Sequence, residues 1–382
     1  NFHPFRNPKG RLSNFIWSIL EYDQEHVIIG TQNSGVYLFN RMNQTFKPFR
    51  FTKENPEASE NFDIYTIFKD SQGAYWIGTY NAGVYQLHPG KGIYNHYEYR
   101  ENDPNSLNAN WIRNIYQESD SIMWIGTTNG LCRLNSKTGN ITCYQPIPND
   151  STSLSHPDVL AIFMDRYGYL WVGTYGGGLN RLDVKEQVFR QYLHSPDHAN
   201  SISNNRIRVL FEDVRGEIWI GTDHGLNHYN RDKDQFTAIT MEHGLPNNVI
   251  YSILPDKQKN FWMSTNRGIC VYNPEDSSVT NYDVMDGLQS NEFNTGAYYL
   301  SEKGEMFFGG INGFNIFHPD SIRNNPYKPP VRITEISIYN KPIEPEQEGL
   351  LKQCIAQTDE IHLSHDQNFL SFEFAAFNYI RP

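Results

Sequence analysis

Seven copies of one pattern set the terms for this chain: a short apolar run, an acidic turn with Gly, an aromatic-Ile-Gly-Thr segment, and a segment led by Gly. Four copies are clear: Ile64…Trp76-Ile-Gly78-Thr79…Gly83, Ile112…Trp124-Ile-Gly126-Thr127…Gly130, Val159…Trp171-Val-Gly173-Thr174…Gly178 and Ile207…Trp219-Ile-Gly221-Thr222…Gly225. Weaker copies lie at Ile16…Gly30-Thr31, Val249…Trp262-Met-Ser264-Thr265 and Phe293…Phe307-Phe-Gly309. The steps from Gly30 to Gly78, Gly126, Gly173, Gly221, Ser264 and Gly309 are 48, 48, 47, 48, 43 and 45 residues. A period of that size, carrying strand alternation rather than a helical stripe, predicts propeller blades. The expected fold is all-β: a seven-bladed β-propeller over residues 1–318, followed by the start of a β-sandwich in 319–382.

Each copy divides into four strands, A to D. In the fifth copy, strand A is Ile207-Arg-Val-Leu-Phe211, and it ends in the turn Glu212-Asp213-Val-Arg-Gly216. There Asp can bond the turn backbone and Gly accepts positive φ. Strand B, Glu217-Ile-Trp-Ile-Gly-Thr222, places Ile218 and Ile220 on one face and Trp219 on the other. Both faces are apolar because each blade is covered by two neighbours. The strand-B Trp is therefore core rather than a sugar platform, and its burial contributes roughly 3 kcal/mol or more. The following Gly lets blades approach near the axis. Six D strands, such as Phe46/Phe49 and Phe189/Tyr192, must serve seven A–C sets. The opening Phe2-His-Pro-Phe5 matches the D pattern, so residues 1–6 are expected to complete the blade of 293–317, a closure that removes sheet edges.

Composition narrows the classes of function. A net charge of −11 disfavours a nucleic-acid surface, which needs a basic stripe to displace counterions from phosphates. No run of about 18 apolar residues occurs, so no segment reads as a membrane helix. The first residue is Asn and the last, Pro382, closes strand-like sequence, so the chain is read as a segment of a longer protein. Cys132 and Cys143 flank a turn near Lys137-Thr138 at equal distances. Two readings stay open, a cross-strand disulfide or two small hydrophobes in a hairpin, and the second is favoured. After Pro319 the composition changes at the Pro-rich connector Asn324–Pro330. The stretches Val331–Tyr339, Ile361–His365 and Phe369–Phe377 then read as strands separated by a turn at Asn340-Lys341 and a loop.

The string Asp165-x-x-Gly-x-x-Trp-Val-Gly-Thr…Gly-Gly-Leu-x-x-Leu182 resembles the regulator propeller repeat of bacterial hybrid two-component sensors. Pro330-Val-Arg-Ile-Thr…Asn340-Lys with Phe372-Glu-Phe-Ala-Ala-Phe-Asn-Tyr379 resembles the start of the triple-tyrosine β-sandwich that follows those propellers. The resemblance implies a periplasmic sensor region, commonly dimeric. It implies an upstream propeller, and a downstream membrane helix and histidine kinase in the same protein. The implied ligand is an oligosaccharide released from a complex glycan, and the implied output is control of polysaccharide-utilisation genes.

In a propeller the D–A and B–C loops meet on one face around the axis, a concave place for a ligand. The candidates there are Trp17, Tyr65, Trp111, Arg113, Arg206 and Arg208 at the starts of A strands, and Tyr80, Tyr175, His224 and Arg267 in B–C loops. Flat rings cover the apolar face of a pyranose, while Arg and His supply directional bonds. The competing reading is a water-lined channel or packing between blades. A glycosidase or lyase propeller is the main alternative in function, and a purely scaffolding or dimerisation propeller the third. Asp63, Asp158, Asp223 and Glu292 lie on the same face, yet no spacing pairs two of them for glycoside hydrolysis. His156 and His224 fall in no metal-ligand spacing, no Gly-x-Ser-x-Gly elbow, P-loop or dinucleotide fingerprint is present, and no adjacent-Cys pair supports a quinone-cofactor dehydrogenase. The segment is therefore read as non-enzymatic, with no cofactor and no metal.

Overall fold

Each repeat folds into a four-stranded antiparallel sheet whose strands follow chain order from the axis outward. The computed structural model describes residues 2–6, 13–49, 62–88, 92–322, 331–345 and 350–376. The connector at 324–330, Asn1 and the expected strand end at Phe377 lie outside the described residues. The fourth blade shows the plan: A is Val159–Met164, B is Tyr169–Thr174, C is Leu179–Asp183 and D is Val188–Tyr192. Seven such sheets occur among the described residues. In the last, Phe293–Leu300, Met306–Gly310 and Gly313–Phe317 take Pro4–Phe5 as their outer strand, with Pro4 opposite Asn315 and Phe5 opposite Phe314.

The core lies between blades rather than within them. Seven apolar clusters each draw on two neighbouring blades, and the ring closes where Ile16, Val27 and Phe39 of the first blade meet Phe307 and Phe314 of the last. Phe2 packs edge-on against Tyr282 and Phe317, with ring centroids 5.2 and 4.7 Å away. The B-strand residues Trp76, Trp124, Trp171, Trp219 and Trp262 are all buried.

The acidic turn does more than the sequence reading assigned to it. Asp70 accepts the backbone N–H groups of Gln72 and Ala74 through Oδ1, and the Trp76 indole N–H through Oδ2 at 2.9 Å. Asp165 with Trp171, Asp213 with Trp219 and Asp256 with Trp262 repeat the indole bond. Glu118 serves Trp124 in the third blade. The Asp-to-Trp spacing of six residues thus ties the turn to the buried ring, which would otherwise carry an unpaired donor.

Four details depart from expectation. Cys132 and Cys143 are directly opposed in the third blade, with Cα atoms 4.0 Å apart, and form a disulfide rather than a reduced hydrophobic pair. The sixth blade keeps only Leu254–Pro255 as regular inner strand, with Ile250 bridging to Thr265 ahead of it. In residues 331–376, a separate compact unit, the sheet is Lys341–Pro342, Val331–Ile338 and Leu370–Ala376 in that order. Residues 361–365 are not a strand, and the edge of Leu370–Ala376 away from Val331–Ile338 carries no paired strand among the described residues. The hairpin turn falls one residue earlier than expected, with positive φ at Tyr339 and Asn340.

Candidate functional site

The second residue of strand A is the one that reaches the axis. In the first blade Ile16 pairs with Thr31 and Ser18 with Gly30, so Trp17 is an extra residue with no partner. The same bulge singles out Tyr65, Arg113, Leu160 and Arg208 in the next four blades. Tyr251 and Asn294 occupy the equivalent place in the last two. A bulge re-aims the side chain it displaces, and these five side chains line one cavity of about 220 Å³ together with Tyr251 and Asn294. Phe15, Asn114, Tyr175, Thr295, Gly296 and Tyr298 complete its wall.

The wall is chemically divided. On one side Trp17 and Tyr65 meet edge to face, with centroids 3.6 Å apart, and Tyr65 in turn contacts Trp111 and Tyr80. Tyr80 and Trp111 are 4.2 Å apart. Arg113 lies over the Trp111 ring at 4.0 Å and over Tyr65 at 5.2 Å. The buried Trp111 Nε1 has no acceptor among the described residues. Burial pushes the Tyr65 hydroxyl up to about 12, against the opposing pull of Arg113, so the phenol keeps its proton.

From Arg113 onward the wall becomes ionic. Arg113 grips Asp158 through two bonds of 2.9 and 2.8 Å. Asp223 is shared by Arg206, at 2.8 Å, and Arg208. Arg206 stacks on Tyr175 at 3.8 Å and Arg208 on Tyr251 at 4.9 Å, while Tyr251 donates to Asn266 at 2.7 Å. Each guanidinium is therefore fixed by a carboxylate and a ring, with further N–H groups left over.

Of the sequence candidates, Trp17, Tyr65, Arg113, Tyr175 and Arg208 line the cavity, and Tyr80, Trp111 and Arg206 touch its lining residues. His224 and Arg267 are exposed on B–C turns and do not line it; their backbone N–H groups donate to Thr222 Oγ1 and Thr265 Oγ1. Sequence reasoning missed Tyr251 and Asn294, although each follows the first apolar residue of its strand A, as Trp17 and Tyr65 do. It could not have found Thr295 and Gly296, which enter through an enlarged bulge. Asp158 and Asp223, weighed as catalytic acids, are engaged by arginines. Among the described residues no group of three or more His, Cys, Asp or Glu side chains could hold a metal ion.

Comparison with known proteins agrees with this architecture. The model of the two-component regulator propeller repeat matches residues 59–81, 106–129, 153–176, 201–224 and 244–267. A histidine kinase, P4, from Formosa agariphila is 37% identical over 97 residues, covering 25% of this chain and 7% of the kinase. The extracellular domain of the hybrid two-component system BT3049 from B. thetaiotaomicron superposes with a TM-score of 0.76 at 25% identity, over 98% of this chain and 48% of that one. The corresponding domain of BT4673 from the same organism gives a TM-score of 0.66 at 20% identity, over 98% and 50%. The chain thus spans about half the length of these extracellular domains and a small part of the kinase.

Proposed function

We propose that this chain, a propeller built of two-component regulator repeats, is the ligand-sensing segment of a periplasmic receptor, and that its ligand is an oligosaccharide released from a complex glycan. One observation carries the reading: a residue near the start of strand A in each of the seven blades lines one cavity, whose wall combines aromatic rings with arginine–carboxylate pairs. Rings such as Trp17 and Tyr65 suit the apolar face of a sugar, and guanidinium groups pre-fixed by Asp158 and Asp223 suit its hydroxyls. Three arginines, Arg113, Arg206 and Arg208, share two carboxylates, Asp158 and Asp223, so the wall keeps an excess of positive charge that suits sugar hydroxyls and also the carboxylate of an acidic sugar. The Cys132–Cys143 bond supports an oxidising compartment.

In the whole protein, a membrane helix and histidine kinase follow this segment and a further propeller precedes it. The receptor is a homodimer, and its output is expression of polysaccharide-utilisation genes. Ligand can shift such a receptor only by binding its signalling states unequally.

An oligosaccharide array followed by calorimetry tests this. Saturable binding is expected, weakened at least about tenfold by Trp17→Ala, with the sugar recovered intact by chromatography. Cleaved product would favour the glycosidase or lyase reading, and binding indifferent to Trp17→Ala would remove the cavity from consideration.

A further inference from the structure

The seventh blade differs from the others at the axis. Elsewhere one extra residue separates the first pairs of strands A and B, but here Phe293 pairs with Gly310 and Tyr298 with Phe308. Four residues, 294–297, therefore stand opposite Gly309 alone. That segment reaches three other blades. Asn294 Nδ2 donates to the Ile16 carbonyl of the first blade at 2.8 Å. Thr295 Oγ1 accepts from Arg208 Nη1 of the fifth blade at 2.8 Å. Gly296, at φ +81°, lies so close to the first and second blades that a β-carbon would stand 3.3 Å from the Trp17 carbonyl oxygen and 3.7 Å from that of Tyr65. A segment touching the first, second and fifth blades from the seventh must run across the axis, and Gly is the residue that tolerates this backbone so near its neighbours.

The cavity wall includes Phe15 and Tyr175, at the loop face, and the crossing residues 294–296, but no residue of the acidic A–B turns at the opposite end. Residues 294–296 of the crossing segment form part of that wall. At about 220 Å³ the cavity lies below the ~300 Å³ at which pockets for larger ligands begin, so it has room for one sugar ring and not for a run of them.

We infer that the axial cavity is a blind pocket that takes a single terminal residue of the oligosaccharide, so that the protein reads a chain end and not an internal stretch. This rests on the glycan reading above. Terminal recognition gives such a sensor a signal that rises with the number of chains cut, because each cut makes new ends while intact polymer offers few.

The test is calorimetry on the whole chain with xylo-, manno-, cello-, galacto- and arabino-oligosaccharides of two to six residues. Each is used free, with its reducing end converted to an alditol bearing a bulky aryl cap, and with its non-reducing end aryl-capped. One cap is expected to weaken binding at least about tenfold and the other to leave it unchanged. Equal affinity for both capped forms and the free sugar would overturn end recognition while leaving the glycan site standing. No binding of any free sugar would overturn the glycan reading and this inference together. Leu160→Trp, which fills the cavity, is expected to abolish binding, and retained binding in the folded variant would overturn the placement. Should that variant not fold, saturation-transfer NMR on the unaltered protein decides: strongest transfer to protons of one terminal ring is expected, and even transfer along the chain would overturn the inference.

Discussion

Ile16 of the first blade occupies the space beside Gly309 of the last: a β-carbon on Gly309 would fall 2.8 Å from Ile16 Cγ2. The same relation links Gly30 to Ile64 at 2.6 Å and Gly173 to Ile207 at 2.6 Å, so the strand-B glycine sets how near each blade stands to the next. Gly309→Ala is expected to destabilise the protein by about 1–3 kcal/mol through overpacking, seen as a lower denaturant midpoint. An unchanged midpoint would show that the seam between first and last blades yields freely.

The Asp70–Trp76 pair makes the acidic turn a structural device. Asp70→Ala removes the acceptor for two backbone N–H groups and one indole N–H. A loss of about 1–3 kcal/mol is expected, together with altered near-UV circular dichroism from the displaced Trp76. Asp70→Asn, which keeps one acceptor oxygen, should lose less. Equal losses for the two variants would argue that the negative charge, and not the hydrogen bonds, matters.

The Cys132–Cys143 bond closes a short loop, with a sequence separation of 11. Replacing both residues by Ala is expected to cost about 2–3 kcal/mol in non-reducing buffer. The difference from the unaltered protein should shrink when that protein is reduced. Thiol titration of denatured, unreduced protein should report two thiols, Cys270 and Cys354, and a count of four would refute the bond.

Burial raises the hydroxyls of Tyr65 and Tyr298 to about 12, against an ordinary value near ~10. Below about pH 10 both residues are protonated in the folded and unfolded states alike, and stability does not depend on them. Between about pH 10 and 12 the unfolded chain releases these protons first, so the folded state loses stability as pH rises. The phenolate absorbance of folded protein should therefore lag that of unfolded protein in this window. Superimposable titration curves would contradict the burial of these rings.

The architecture was legible because it is written as local pattern repeated. The steps near 48 residues give the blades, alternation around Trp219 gives a strand covered on both faces, and Phe2-His-Pro-Phe5 carries the outer-strand pattern that Pro4–Phe5 adopts beside Gly313–Phe317. The site was legible where it follows the same repeat, at Trp17, Tyr65, Arg113 and Arg208. His224 and Arg267 were placed by loop membership alone. Loop membership says which face a residue is on, but not whether its side chain turns inward.

Sequence alone determined that seven homologous sheets would form and which residues would fill the spaces between them, because hydrophobic alternation and turn chemistry act within a few residues. Only the tertiary structure decided what stands at the axis. Residues about 48 apart in the chain, such as Trp17 and Tyr65, become neighbours only when consecutive blades pack side by side. Residues 294–296 come to line the cavity only because the first, second and fifth blades stand beside them. Such contacts depend on closing long loops in space, and no local preference encodes them.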